Sequence, residues 1–126
     1  MRSKVMAAAL LAATFAMPAA AQDAANGEQV FKRCRQCHQI GTGPGSPVGP
    51  SLNNIVNRPA GSVEGFNYSA ANKEAGANGL VWSEDNLFKY LAAPAAFMPR
   101  NKMAFAGVKD EADRKDLIAY LKTFSK

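Results

Sequence analysis

The stretch Cys34-Arg35-Gln36-Cys37-His38 constrains this chain more than any other. Residues three and four apart share one face of a helical turn, so Cys34, Cys37 and His38 are placed to meet one flat object together. C-x-x-C-H is the pattern of covalent haem attachment. The thiols add across the vinyl groups of the macrocycle to make thioethers, and the adjacent imidazole coordinates the iron from one side. Three other chemistries use similar residues. A thioredoxin-like dithiol wants a βαβ context, and no part of this sequence alternates like strands. A closed tetrahedral zinc site needs more donors than the two cysteines and one histidine of the whole chain, unless carboxylates join them. A plain disulfide across so short a loop is strained and stabilises little.

The N-terminus reads as an export signal. Arg2 and Lys4 form a positive start, Val5 to Phe15 is apolar apart from Thr14, and Ala19-Ala20-Ala21 supplies small residues for cleavage. Residues 1–21 are therefore predicted to be a secretory signal peptide cleaved after Ala21, and residues 22–126 a single domain. The apolar run falls short of the roughly 20 residues of a membrane span, and no second such run follows, so the mature protein is expected to be soluble. Removing 21 of 126 residues leaves 105, enough for one domain. Arg2 and Lys4 leave with the signal, so 13 basic residues remain against 10 acidic ones, a net charge of +3. That is far from the clustered excess of a nucleic-acid binder. In an oxidising compartment free cysteines pair; haem attachment gives Cys34 and Cys37 another fate.

The rest of the chain reads as helices separated by loops. Asp23 is a candidate N-cap for a helix running into the motif. Gly41 to Pro50 holds four glycines and three prolines and must be irregular. Ser51 to Asn57 is predicted to form a short helical turn, and Ser69 to cap a helix ending at Gly76. Ser83 caps a clearer helix with Glu84 and Asp85 in its first turn and Leu87, Phe88 and Leu91 at helical spacing, stopped by Pro94. Residues 94–109 carry apolar side chains without a period. A last helix starts near Asp110, with Leu117, Tyr120, Leu121 and Phe124 on its inner face. The predicted class is all-α.

An iron held by His38 on one side needs an occupant on the other. His38 is the only histidine, which excludes a second one from this chain, and after signal removal only Met98 and Met103 remain as thioethers. Both lie in the aperiodic segment, and composition leaves both open, as it leaves open ordinary core roles.

Across residues 24–125 the sequence resembles the class I c-type cytochromes, and is most similar to the bacterial cytochromes of the c2 type and their mitochondrial relatives. The motifs follow in the family's order: Gly27 and Phe31 with Leu117 and Tyr120, the Cys34–His38 stretch, Gly49-Pro50-Ser51-Leu52, Arg58-Pro59-Ala60-Gly61, Tyr68 to Lys73, Trp82, Tyr90, and Lys102 to Gly107. The resemblance implies N- and C-terminal helices packed crosswise, with loops wrapping one covalent haem c bound through Cys34 and Cys37. It makes Met103 rather than Met98 the second iron ligand opposite His38. It also implies a surrounding shell. Pro50 would accept the His38 Nδ1–H, and the Tyr90 hydroxyl would lie near the Met103 sulfur. Tyr68 and Trp82 would donate to a buried haem propionate, with Arg58 offsetting its charge, and Asn72 would hold a buried water. Arg100 and Asn101 depart from the Gly and Thr of many relatives. Arg100 must adopt a backbone open to a side chain, and Asn101 could bond toward the distal side.

The function so implied is that of a periplasmic one-electron carrier with a high-potential haem, not an enzyme. Electrons would come from a quinol-oxidising cytochrome complex and pass to a terminal oxidase, a photosynthetic reaction centre or another oxidoreductase. Docking would use Lys32, Arg33, Arg35, Lys73, Lys89, Arg100, Lys102 and Lys109 around the haem edge, with Asp110, Glu111, Asp113 and Asp116 turned away. A monomer without stable membrane insertion is expected. The rivals are a haem enzyme or gas sensor with an open iron, and a dithiol protein without haem. The first lacks a distal histidine as general base.

Overall fold

The computed structural model of the chain describes residues 3–13 and 22–126; Arg2 and the Ala19–Ala21 cleavage pattern lie outside the described residues. Residues 3–13 form no helix or strand, and Val5, Met6, Leu10 and Leu11 stand in solvent. Among the described residues no helix is long and apolar enough to cross a membrane.

Side-chain caps fix where four of the helices begin. The Asp23 carboxylate accepts the N–H groups of Ala25 and Asn26 and starts α1 (Ala24–Phe31). Ser69 accepts from Asn72 N–H and starts α2 (Ala70–Ala77), and Ser83 does the same for α3 (Glu84–Ala92) through Asn86 N–H. Asp110 accepts from Asp113 N–H and starts α5 (Glu111–Lys122). Each cap satisfies an amide that has no partner inside the helix. Pro94 ends α3 and opens the single turn α4 (Pro94–Phe97), where its missing N–H costs nothing. Apart from one isolated bridge, Pro59 to Val81, no β-pairing occurs among the described residues, and the fold is all-α.

α1 packs on α5 at Gly27. A Cβ there would lie 2.0 Å from Asp116 O and 2.8 Å from Tyr120 Cβ, so only glycine lets the backbones approach this closely. Phe31 is fully enclosed and meets Tyr120 at 5.3 Å between ring centroids. Burying a side chain of that size contributes about 2–3 kcal/mol. The same contact carries polar ties. Asn26 Nδ2 donates to Asp113 Oδ1 at 3.1 Å and Asp116 Oδ2 at 2.8 Å, and Asp23 N–H donates to Asp116 Oδ1 at 2.8 Å. Two of the four acids read as a docking counterweight are thus bound to the positive end of α1.

Three local expectations need correction. α1 does not run into the motif: it ends at Phe31, and residues 32–37 continue as tight turns. Residues 51–57 form turns rather than a helical turn, because Asn54 and Asn57 take left-handed backbone angles of φ 58° and 67°. Gly76 lies within α2 rather than after it, and its hydrogen faces Ala60 O, which a Cβ would meet at 2.0 Å.

Candidate functional site

The motif presents its side chains through successive short turns. Cys34 N–H donates to Phe31 O at 2.8 Å, and Cys37 and His38 N–H both donate to Cys34 O, at 3.1 and 2.9 Å. This mixture of turns still places both thiols and the imidazole on one cavity. Both cysteines are free and half-buried. Burial raises the Cys34 pKa to about 11; Arg33 opposes this weakly and Cys37 adds to it. The thioredoxin-like alternative wants a βαβ context, and the fold among the described residues is helical.

His38 is held from behind. Its Nδ1 lies 2.8 Å from Pro50 O. A carbonyl only accepts, so the proton belongs on Nδ1 and Nε2 keeps its lone pair. Burial lowers the His38 pKa, the Pro50 carbonyl opposes that, and nearby Arg58 adds to it, which keeps the ring neutral and fit to coordinate. Gly49 packs against the ring: a Cβ would come within 2.7 Å of His38 Cε1. The Gly-Pro pair was legible as a loop signal, but this contact was not.

Met103 lines the same cavity. The Tyr90 hydroxyl donates to Met103 Sδ at 3.8 Å. Burial pushes the Tyr90 pKa up to about 12, so the phenol remains a donor. Met98, the other candidate thioether, is 5% exposed in the core and does not line the cavity. Asn101 behaves differently from expectation. Its amide turns into its own loop, donating to Pro94 O and Met98 O and accepting Met103 N–H. Arg100 takes φ 64°, the left-handed conformation its residue type disfavours, at a cost of about 1 kcal/mol.

The cavity measures about 550 Å³, and every predicted site residue lines it: Cys34, Cys37, His38, Pro50, Arg58, Tyr68, Asn72, Trp82, Tyr90 and Met103. Trp82 is buried and stacks at a tilt on Tyr90, with centroids 4.6 Å apart. Its backbone ties the floor together, since Trp82 N–H donates to Arg58 O and Asn57 N–H donates to Trp82 O. The Tyr68 hydroxyl accepts Val63 N–H at 2.9 Å and keeps its own hydrogen for donation. Arg58 Nη1 donates to Ser51 O and Asn53 O, while its Nε and the Asn72 Oδ1 are buried without a partner.

A cytochrome c family model matches residues 24–125. The chain belongs to the cytochrome c family. This cytochrome is 52% identical over 125 residues to cytochrome c2 of Blastochloris viridis, a match spanning 99% of this chain and 95% of that protein. It is 48% identical to cytochrome c of Stellaria longipes over 105 residues, 82% of this chain and 94% of that one. The solved structure of cytochrome c2 from Rhodospirillum centenum superposes with a TM-score of 0.78 at 42% identity, covering 82% of this chain and 99% of its own. As a c-type cytochrome the protein is an electron carrier with one covalently bound haem c.

The residues present fit that group. The cavity's lining includes two thiols, a neutral imidazole and a thioether. The orphaned Arg58 Nε is a buried cationic donor, and burial lowers the Arg58 pKa, with Tyr68 opposing. A desolvated guanidinium of this kind wants an anionic partner, and haem carboxylates are anions.

Proposed function

We propose that this cytochrome is a periplasmic one-electron shuttle, exported by residues 1–21 and cleaved after Ala21 to a single domain, 22–126. Bound haem supplies a one-electron ferric/ferrous couple. Cys34 and Cys37 would fix it covalently, and His38 Nε2 and Met103 Sδ would be its iron ligands. Pro50 sets the tautomer and plane of the His38 ring. Tyr90 donates to the Met103 sulfur. Tyr68, Trp82 and Arg58 hold and neutralise a buried propionate, and Asn72 orders a water beside it.

Met103 carries this assignment: its sulfur shares the cavity with His38 and receives the Tyr90 hydroxyl. A soft thioether and an apolar lining favour the ferrous state and raise the potential. With His38 and Met103 both engaged as ligands, the iron would have no place for a substrate, and the chain would serve as a carrier rather than a catalyst. Donor and acceptor are membrane redox complexes: a quinol-oxidising cytochrome complex on one side, and a terminal oxidase, reaction centre or other oxidoreductase on the other. The basic residues around the crevice support docking to acidic partners, since Arg33 and Lys102 line the cavity itself.

Carbon monoxide tests the axial assignment. The visible spectrum of the reduced holoprotein is expected to stay unchanged on adding the gas. A prompt spectral shift would instead mean an open iron and a sensor or enzyme.

A further inference from the structure

The segment bearing Met103 has no periodic structure of its own, so something must hold its backbone still. Both polar groups of the Met103 main chain are engaged. Its C=O accepts Phe105 N–H at 2.9 Å, and its N–H donates to Asn101 Oδ1 at 2.7 Å. The Asn101 amide nitrogen then donates twice, to Met98 O at 2.8 Å and Pro94 O at 3.1 Å. One side chain thereby clamps Met103 to the α4 turn. The far end of the loop is tied to the end of α3, where Val108 N–H donates to Leu91 O at 2.7 Å and Lys109 Nζ donates to Ala92 O at 2.8 Å.

Only an asparagine-like amide can do this at position 101. It offers one acceptor and two hydrogens from one planar group, whereas aspartate has no hydrogens and threonine has one. The same bonds explain why Arg100 stays in its left-handed conformation at φ 64°: it sits between Met98 and the clamped Asn101. We propose that Asn101 is the positioning residue that keeps the Met103 sulfur on the iron. This rests on Met103 being the axial ligand. Asn101 lines the same cavity, but its polar atoms are spent on the loop, so it acts through Met103 and not on the cofactor directly.

The test uses holoproteins carrying Asn101→Ala, Asn101→Asp, Met103→Ala and, as a control, Asn26→Ala. The control loses hydrogen bonds at the α1–α5 contact, remote from the loop. Two readouts are taken while far-UV circular dichroism shows the fold intact: the rate of carbon monoxide binding to the reduced form, and amide hydrogen exchange at Met103 N–H. Both Asn101 variants should bind the gas about fivefold faster than wild type or more, because one net hydrogen bond of about 1 kcal/mol corresponds to roughly that factor. In Asn101→Ala, which also loses the acceptor, the Met103 amide should exchange faster by a similar factor. Asn26→Ala should leave both readouts unchanged although it lowers global stability. Wild-type behaviour in the Asn101 variants, or an equal acceleration in Asn26→Ala, overturns the proposal. Met103→Ala separates the two layers: if it binds the gas no faster than wild type, the ligand assignment itself fails and the role of Asn101 falls with it.

Discussion

At the residue scale, the two sides of the cavity are tuned by opposite uses of a hydrogen bond. Behind His38, the Pro50 carbonyl accepts and so enriches the imidazole; beside Met103, the Tyr90 hydroxyl donates and so draws density from the sulfur. Replacing Tyr90 by Phe removes that donor while keeping the ring stacked on Trp82. It is expected to lower the reduction potential, since a more electron-rich thioether favours the ferric state, and to cost about 1 kcal/mol or less in unfolding free energy. Equilibrium redox titration and guanidinium unfolding check this; an unchanged or raised potential contradicts the role given to the hydroxyl. Residues differed in how legible they were. Cys34, Cys37 and His38 are adjacent in sequence, so spacing alone announces them. Met103 and Met98 lie in the same aperiodic segment, so spacing does not separate them; the family resemblance favours Met103, and the folded chain puts it on the cavity and leaves Met98 5% exposed in the core. The hydrogen bond expected of Asn101 toward the distal side is spent on its own loop instead, because a single residue's partners depend on a backbone path that the sequence does not display.

At the scale of elements, short capped helices are held by contact rather than by propensity. α1 and α2 have eight residues each, too short to persist alone in water. Their starts were legible because Asp23, Ser69, Ser83 and Asp110 are caps whose chemistry is local. Their ends were less so. Gly76 looks like a stop signal, yet its role is close packing on Ala60, a contact made across 15 intervening residues of chain. The α1–α5 contact has the same character, and Gly27 is its tightest point. Gly27→Ala is expected to lower the unfolding free energy by about 2 kcal/mol, because overpacking against Asp116 O outweighs the gain in helix propensity. Chemical denaturation of the holoprotein measures this. A stabilised variant would mean the two helices are not in close register.

At the scale of the whole molecule, charge is distributed for encounter more than for stability. The one ion pair among the described residues, Lys122 Nζ to Glu84 Oε1 at 3.2 Å, joins half-exposed groups and contributes little. Basic residues instead line the cavity at Arg33 and Lys102, while Asp113 and Asp116 are bound at the α1–α5 contact. Electron transfer to an acidic partner protein is therefore expected to slow by about tenfold or more between low and physiological ionic strength. Stopped-flow kinetics across a salt series checks it; a flat or rising profile contradicts attractive docking.

The central claim, that Met103 faces His38 across the iron, is tested most directly by proton NMR of the reduced holoprotein with ¹³C-labelled methionine methyl groups. In the proposed mature chain, residues 22–126, only Met98 and Met103 contribute. One methyl resonance is expected far upfield, where the ring current of the macrocycle moves a ligand methyl, and Met103→Leu should abolish it while Met98→Leu leaves it in place. Two methyl signals at ordinary positions, or an upfield signal lost with Met98→Leu, would contradict the account.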